Sequence, residues 1–555
     1  MAQMWPPPKP KLAQEEFDES VKTNMEDFDM NAEEAIKSAC EEFTVQGYDI
    51  SGIIKKVGGG QTDDHPLTVA STNLDNALET EIAEGSPFLS ALLALRHALM
   101  DESADPLELN AVVLKAKTYV PAFIACCKLS AACLSAAPSS ANSVKEWFQT
   151  AINVTKRIML LSVEARDLFD AMKGGEVVVG WLRDHAGDIA LQVAVVGLAE
   201  VAALKEEKNK ESLFNAGFGE AALQLLREAV NRCEAPGTMS SSGNDVTESP
   251  AEPSASAGER QVDKLDLALI RGCCNALRLL VTADDDRPAG SAAFKNARVL
   301  AKEGGASATL MAVLRSPVMR ANSAPEALSE ARQGGSSTSH AATVSGILAA
   351  VRQFAVNDEI CREFAEEGGV LAVGALLDHH QRAASGSNEG CWTGRSATVV
   401  RAALLALRQM VNSDAVKVLL AEKGGIEMIM NVMSIYSTSE NILEPSLGLL
   451  SSMMLRLPEV VDKAAEAGVI DAVLEVMSGH PDAGQLQRAG CMVFRNMAAR
   501  NVELRPVILE KGAEALLRQA QAKHPNKCQD VGAAALRDLG LEDYGTTLVV
   551  TAPLS

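Results

Sequence analysis

The chain has 555 residues, of which 47% are hydrophobic, 4% are aromatic and 22% are charged, and its net charge is −22. A charge this negative argues against a general nucleic-acid or anionic-membrane binder, because the phosphates of both would repel the chain. No run approaches the roughly 18 consecutive apolar residues of a membrane span, and residues 1–12 lack the apolar core of a signal peptide. The eleven cysteines include no CxxC motif, which indicates reduced, packed thiols. We therefore expect a soluble protein of the cytoplasm or of both cytoplasm and nucleus.

Residues 1–60 combine a Pro-rich lead with an acidic helical arm. Between Gln14 and Phe43 there are eleven carboxylates and two lysines, which give this segment a net charge of −9. Apolar residues such as Phe17, Val21 and Phe28 recur at helical spacing, so the arm is predicted to be amphipathic. A polar stretch at 61–87 is predicted to be a flexible linker, because it has few apolar residues to bury.

A repeating unit begins after the linker, and its clearest copy runs from Ala397 to Tyr436. Apolar residues spaced 3, 4, 3 and 4 apart predict a first helix that ends at Val411. A short second helix is predicted to end at Lys423-Gly424-Gly425, since glycine accepts the left-handed conformation that follows a helix. A third helix follows at once. Three short helices in about 40 residues, none able to bury its apolar face alone, predict a solenoid repeat.

Further copies run from Val344 to His380 and from Gln485 to His524. In the three best copies an arginine precedes the second turn glycine by 17 residues, namely Arg352 and Gly369, Arg408 and Gly425, and Arg495 and Gly512. Weaker copies are predicted to turn at Gly175, Gly217, Gly305 and Gly468. Most spacings between turn glycines are 42 to 44 residues, which is typical of armadillo and HEAT units.

The predicted fold class is all-α, an armadillo-type right-handed α-solenoid of stacked three-helix repeats with an acidic N-terminal helical arm. The solenoid is predicted to span residues 88–545, with disordered insertions at about 236–259, 316–340 and 381–396 and a C-terminal tail at 546–555. These insertions are rich in small and polar residues that cannot form a packed core.

Motifs near both ends of the chain resemble the armadillo repeat-containing protein 6 family. They are Glu16-Phe17-Asp18, Asn24-Met25-Glu26-Asp27-Phe28, Gln46-Gly47, Cys274-Asn275-Ala276-Leu277-Arg278 with Asp284-Asp285-Asp286-Arg287, and Ala534-Ala535-Leu536-Arg537-Asp538-Leu539-Gly540. The resemblance implies a non-catalytic, all-helical interaction protein. The chain departs from the family in its insertions and in residues 288–297, which lack the His-rich run of other members. That difference argues against a metal or ligand role for this loop.

The expected binding surface is the concave groove lined by the long helix of each repeat. At the positions where importin-alpha-like proteins place tryptophan, the chain has Asn275, Ala349, Leu405 and Met492, which argues against a nuclear-import receptor. Amides remain one helical turn later at Gln353, Gln409 and Asn496. We expect these amides to be able to bind the backbone of an extended peptide.

Arginines follow a second pattern along the same helices. Three pairs are seven residues apart and so share a helix face, and two further arginines stand alone. They are Arg271 and Arg278, Arg401 and Arg408, and Arg488 and Arg495, with Arg352 and Arg537 as single residues. Stacked repeats would align them into a basic ladder suited to carboxylate or phosphate. The alternative is that they bind carbonyls or glutamates of neighbouring repeats and stabilise the stack.

The function predicted from these patterns is a protein-interaction scaffold that binds acidic or phosphorylated peptides. The alternative is a nucleocytoplasmic transport adaptor with an atypical groove. The acidic arm either competes for the groove within the same chain or packs on the first repeat as a solubilising cap. We expect a monomer whose partners are proteins or peptides, with no catalytic residue, metal or cofactor. The eight histidines lack HExxH spacing, and Asp284-Asp285-Asp286 lacks the spaced ligands of a calcium loop.

Overall fold

The structure is a computed structural model, and its described residues are 10, 12–26, 28, 30–48, 50, 53, 55, 65–100, 106–234, 264–284, 290–316, 319, 340–385, 393–542 and 544. Every regular element within these ranges is an α-helix, which confirms the predicted all-α class. The chain divides into two compact units. Unit 1 comprises Met1–Ala221 with Ala283–Ala292, and unit 2 comprises Ala222–Thr282 with Ala293–Ser555.

Unit 1 contains eleven helices among its described residues and the start of a twelfth. They are α1 (Gln14–Glu26), α2 (Ala32–Val45), α3 (Pro66–Ala77), α4 (Pro87–Leu99), α5 (Pro106–Lys115), α6 (Tyr119–Ser135), α7 (Ala141–Leu161), α8 (Val163–Ala171), α9 (Gly174–Asp184), α10 (Ile189–Ala202), α11 (Glu207–Asn215) and the first residues of α12 (Phe218–Glu234).

The acidic arm is a two-helix hairpin with its own apolar core. Helices α1 and α2 pack together around Phe17, Val21, Ala35 and Ala39, all of which are buried. The α2 N terminus is capped by Asn31, whose side chain accepts a hydrogen bond from the Glu34 backbone at 3.0 Å. The predicted apolar stripe ends before Phe28, however. Phe28 lies between the two helices and is 65% exposed.

The segment predicted to be a flexible linker contains helix α3. Pro66 occupies the first turn of α3, and the His65 side chain caps it by accepting a hydrogen bond from the Leu67 backbone at 3.1 Å. Leu67 and Leu74 are fully buried where α3 packs on α4. The linker prediction is therefore wrong for Pro66–Ala77, because a few well-spaced apolar residues suffice when a neighbouring helix is present.

Unit 2 continues the three-helix pattern in its described residues. After the remainder of α12 they form α13 (Lys264–Leu280), α14 (Ala293–Lys302), α15 (Ala306–Arg315), α16 (His340–Phe354), α17 (Asp358–Glu366), α18 (Gly369–Ser385), α19 (Thr393–Met410), α20 (Asp414–Glu422), α21 (Gly425–Ile435), α22 (Glu440–Met454), α23 (Pro458–Glu466), α24 (Val469–Gly479), α25 (Gly484–Ala498), α26 (Leu504–Glu510), α27 (Ala513–Lys523) and α28 (Pro525–Asp538).

The long helices of unit 2 form one continuous layer. Helix α13 packs on α16, α16 on α19, α19 on α22, α22 on α25, and α25 on α28. Each long helix is followed by a short helix and then by a third helix of 10 to 17 residues. This is the stacking predicted from the repeat, and each long helix buries its apolar face against its neighbours.

Each glycine pair at a turn divides two tasks between its members. Gly424 has φ +76° and reverses the chain between α20 and α21. A Cβ on Gly425 would lie 2.5 Å from Leu420, so this glycine permits close helix packing. The left-handed glycines are therefore Gly368, Gly424 and Gly512, which lie 16, 16 and 17 residues after their arginines. The predicted common spacing of 17 compared positions that are not equivalent.

The first repeat turns at a lysine. Lys173 has φ +55° and precedes α9, whereas Gly175 lies inside that helix, 2.6 Å from the Ser212 carbonyl oxygen if it carried a Cβ. The prediction of a turn at Gly175 is thus wrong by two residues. Gly217, Gly305 and Gly468 do hold the left-handed position.

The predicted insertions fall mostly outside the described residues, as does the tail at 546–555. Helices α18 and α19 extend into the third one, to Ser385 and from Thr393. The domain limits expected from the sequence remain a prediction. In the described part of the chain, no helix is both long and apolar enough to cross a membrane. The described cysteines are free thiols, and Cys126, Cys273 and Cys274 are buried within helices.

Candidate functional site

All eight arginines of the predicted ladder lie on the long-helix layer of unit 2. Arg352, Arg401, Arg495 and Arg537 are exposed, and Arg271, Arg278, Arg408 and Arg488 are half-buried. The residues at the tryptophan positions, Asn275, Ala349, Leu405 and Met492, are half-buried on the same helices. The ladder is interrupted at α22, which carries no arginine.

The three predicted peptide-binding amides are used within the fold. The Gln353 amide donates to the Val281 carbonyl at 3.2 Å, and the Gln409 amide donates to the Ala355 carbonyl at 3.0 Å. The Asn496 amide donates to the Ser451 carbonyl at 2.8 Å. Each bond joins one long helix to the preceding long helix, at or near its C-terminal end. The expectation that these amides bind a peptide backbone is therefore not supported.

Four arginines of the ladder contact the next long helix. Arg408 lies 3.6 Å from the Glu444 carboxylate, and Arg495 lies 3.5 Å from the Asp538 carboxylate. Arg488 donates to the Lys527 carbonyl at 2.6 Å. Arg537 bonds its own neighbour, Asp538, at 2.9 Å. For this C-terminal half of the ladder, the alternative interpretation of stack-stabilising arginines describes the geometry.

The other four arginines are different. The side chains of Arg271, Arg278, Arg352 and Arg401 make no ion pair or hydrogen bond with any residue that the structure describes. They lie on α13, α16 and α19, which pack in sequence. We call these four residues the arginine face.

The amide bonds fix the level of these arginines on adjacent helices. Arg278 lies three residues before Val281, whose carbonyl binds Gln353, the neighbour of Arg352. Arg352 likewise lies three residues before Ala355, whose carbonyl binds Gln409. The same offset therefore repeats from α13 to α16 and from α16 to α19, so these cations lie side by side along the layer.

Glycines inside the long helices make room for cations of the preceding helix. A Cβ on Gly448 of α22 would lie 2.7 Å from the Arg408 guanidinium, and one on Gly197 of α10 would lie 2.9 Å from the Lys156 ammonium. Gly346 of α16 contacts Asn275 and Arg271 in the same way, at 3.5 and 3.8 Å. Sequence analysis missed this pattern, although a glycine in the middle of an apolar helix is its signal.

Sequence analysis also missed a set of buried cations in the short helices. Lys417 has a side chain only 2% exposed, and its ammonium donates to Asp414 at 2.7 Å and to the Leu455 carbonyl at 2.9 Å. The Lys417 ammonium lowers the pKa of the Asp414 carboxyl, chiefly through that hydrogen bond. Arg505 donates to the Ala498 carbonyl at 3.1 Å. These bonds satisfy carbonyls at the ends of long helices.

The spacing of these cations is constant. Each lies seven residues before the left-handed residue of its turn, in the pairs Arg166 and Lys173, Lys210 and Gly217, Lys417 and Gly424, and Arg505 and Gly512. A basic residue seven positions before a turn glycine is thus the signal that could have found them.

The acidic triplet is anchored by one of these cations. Asp284 bonds the buried ammonium of Lys210, which also donates to Glu207 at 2.7 Å. Asp285 and Asp286 lie outside the described residues. No group of metal-ligating side chains occurs within the described ranges. The turn interpretation of the triplet accounts for Asp284, whose partner is a protein cation.

Comparison with known proteins places this geometry in a family. Residues 9–73 match the armadillo repeat-containing protein 6 N-terminal domain. Armadillo repeat-containing protein 6 from Homo sapiens is 28% identical over 463 residues, which cover 81% of this chain and 75% of that protein. The Drosophila melanogaster homolog is 24% identical and covers 81% of this chain and 78% of its own. The chain is a relative of armadillo repeat-containing protein 6.

The resemblance to the armadillo repeat-containing protein 6 family predicted from the terminal motifs is therefore confirmed. The matched N-terminal domain covers the arm hairpin and most of α3. The crystal structure of an engineered protein shares the fold, with a TM-score of 0.57 and 15% identity over 94% of this chain and 98% of that one. Stacked repeats of this type present extended surfaces to partners, and such a surface is what a protein-interaction scaffold requires.

Proposed function

We propose that this armadillo repeat-containing protein 6 relative is a non-catalytic scaffold that binds acidic or phosphorylated peptide segments on the arginine face of unit 2. The observation that carries the proposal is that Arg271, Arg278, Arg352 and Arg401 have no anionic partner among the described residues. The four neighbouring arginines of the same layer do have partners within the chain. The arginine face is thus the part of the ladder whose guanidinium groups remain available.

Local charge favours an anionic segment. The chain carries a net charge of −22, so a cluster of four unpaired cations on three adjacent helices is a local exception. A guanidinium group binds carboxylate or phosphate through two parallel hydrogen bonds. Hydrogen bonds to charged groups contribute about 1.5–3 kcal/mol each, so two or three such contacts suffice for micromolar affinity.

The long-helix layer also offers shallow neutral contacts between the cations. Ala349 and Leu405 lie between the arginine levels and are half-buried. Their side chains cannot hold a peptide backbone by hydrogen bonds, and the nearby amides are already bonded. We therefore expect recognition by charge, with little dependence on the order of residues in the peptide. No observation favours the transport-adaptor alternative.

The test is a binding titration of the full-length chain with labelled peptides, followed by fluorescence anisotropy. The probes are a ten-residue peptide of alternating glutamate and serine, and the same peptide with phosphoserine at each serine. Arg352→Glu/Arg401→Glu is the informative variant, because both side chains are exposed and the substitution should not disturb packing. We expect at least a tenfold weaker Kd for both probes, since 1.4 kcal/mol corresponds to a factor of ten.

The matched control is Arg362→Glu/Arg500→Glu, which changes the net charge equally at exposed positions outside the long-helix layer. Circular dichroism establishes that both variants are folded. Equal affinities of the two variants would show that only the overall charge matters and would refute a site at the arginine face.

A further inference from the structure

Unit 1 contains a basic pocket that the proposed function does not use. The pocket has a volume of about 440 Å³ and lies between the C-terminal end of α4 and the exposed side of α7. Its main lining residues are Arg96, Met100, Gln149, Asn153, Lys156 and Arg157. Ligand sites in proteins typically measure about 300–1,000 Å³, so the volume suits a small group or a side chain.

The pocket is cationic in an acidic protein. Arg96, Lys156 and Arg157 oppose a single carboxylate, that of Glu146, which gives the lining a net charge of +2. No ion pair joins any of these three cations to a residue that the structure describes. The amides of Gln149 and Asn153 add neutral donors on the same side of α7.

One donor in the pocket is buried and unsatisfied. The Nε of Arg157 is shielded from solvent and has no hydrogen-bond partner among the described residues. A buried donor without a partner costs about 1–3 kcal/mol, so such groups are rare outside functional sites. An anionic acceptor in this pocket would satisfy the Arg157 guanidinium.

The position of Lys156 is built into the fold. Its ammonium lies over Gly197 of the neighbouring helix α10, where a Cβ would come within 2.9 Å of the nitrogen. The glycine therefore holds open the space that the Lys156 side chain occupies. The same helix pair packs closely along its length, so this space depends on the absence of a side chain.

The opposite end of the pocket is apolar. Met100 is 51% exposed and Leu160 is 47% exposed, and both line the pocket. A methionine and a leucine at the rim of a cationic pocket provide a surface for one apolar side chain next to the anion. This arrangement suits a peptide better than a free inorganic ion.

We infer that this pocket binds the phosphoryl group of a phosphorylated peptide side chain, with an adjacent apolar residue of the peptide on Met100 and Leu160. A phosphoserine carries a charge of about −1.5 to −2 at pH 7 and three acceptor oxygens, which match the net charge of +2 and the three cations. A single carboxylate would leave part of this charge uncompensated. The site is independent of the arginine face, since it lies on α4 and α7 of unit 1.

The experiment uses the full-length chain and a fluorescein-labelled peptide library. Only a central phosphoserine and the leucine after it are fixed, and matched libraries carry serine or glutamate at the central position. We expect the phosphoserine library to bind at least tenfold more tightly than the serine library. Inorganic phosphate is expected to displace it.

Two variants separate this site from the arginine face. Arg96→Gln/Lys156→Gln removes two cations, and Gly197→Ala displaces Lys156 without changing any charge. Both are expected to weaken phosphoserine binding at least fivefold, whereas Arg352→Glu/Arg401→Glu should leave it unchanged. Thermal unfolding establishes that each variant is folded.

Three outcomes would overturn the inference. They are equal binding of the serine and phosphoserine libraries, absence of binding by the wild-type chain, and wild-type affinity in a folded Arg96→Gln/Lys156→Gln protein. Loss of binding in the arginine-face variant alone would assign the phosphopeptide to unit 2. That result would support the proposed function while refuting the pocket in unit 1.

Discussion

Basic side chains of this protein occupy two contrasting environments. Lys417 is buried and bonds a carbonyl of the next repeat, whereas Arg401 is exposed and bonds nothing in the described structure. Their sequence contexts differ little, because both follow apolar residues at helical spacing. The difference arises from the helix that each residue occupies: the short helices end beneath the long helices, and the carbonyls of the long helices need donors there.

Replacing Lys417 by methionine tests the buried class. Methionine keeps the apolar volume but leaves the Leu455 carbonyl without its donor, so we expect a loss of about 2 kcal/mol in the free energy of unfolding. Chemical denaturation with urea measures it. Lys463→Met, at an exposed position, should change stability by less than about 0.5 kcal/mol. Equal effects of both substitutions would argue against the carbonyl bond.

His380 gives unit 2 a pH dependence. Burial lowers its pKa from the usual 6.5 to about 4, with smaller contributions from His379 and His340. Between these values the unfolded chain binds a proton that the folded chain does not, so stability falls as the pH falls from 6.5 to 4. We expect a loss of up to about 2 kcal/mol after allowing for solvent screening, and none of it above pH 7.

Urea unfolding of His380→Phe at pH 7 and pH 4.5 measures this contribution. The variant should lose less stability on acidification than the wild-type chain, because the titrating ring is gone. His97→Gln, at an exposed position, serves as the control and should follow the wild-type chain. Parallel pH profiles of the wild type and His380→Phe would contradict the assignment.

At the scale of helices, the sequence predicts order and type well and contacts poorly. The period of apolar residues and the turn glycines predict the repeats, since both follow from the helix geometry itself. The tasks of Gln353 and Gln409 were not predictable, because a bond to the preceding helix depends on how far the two helices slide. The arginine ladder was predicted as one set, yet Glu444 and Asp538 on neighbouring helices divide it.

The left-handed turn makes a prediction at this scale. Gly424→Ala places a Cβ at φ +76°, so we expect a loss of about 1–2 kcal/mol in unfolding free energy. Gly374→Ala is the matched control inside α18, where a Cβ would meet Met428 at an ordinary 3.7 Å. It should raise stability by about 0.5–1 kcal/mol. Effects of the same sign at both positions would refute the division of tasks between the glycines.

At the scale of the whole molecule, negative charge is concentrated where the arm folds on itself. The hairpin of α1 and α2 buries its own core, so the apolar face once expected to pack on the first repeat is already covered. Its carboxylates remain on the surface of the hairpin. The proposal that the arm competes with acidic peptides for the arginine face depends on this exposed charge.

Deletion of residues 1–60 tests the competition. If the arm occupies the arginine face, the truncated chain should bind the glutamate–serine probe several-fold more tightly than the full chain. Anisotropy titrations at 0.05 M and 0.3 M salt should also show a smaller difference at the higher salt, because screening weakens both attractions. Unchanged affinity at low salt would refute competition and leave the arm as a solubilising element.

The constant interval between the buried cation of each short helix and its left-handed residue acts as a fixed spacer. Adding one residue inside it would rotate the cation by about 100° away from its carbonyl, because an α-helix has 3.6 residues per turn. Length changes are tolerated instead at the joint between a third helix and the next long helix, where α12, α15 and α18 are each followed by extra chain. Epitope tags or reporter domains inserted at those joints should therefore leave the repeats intact.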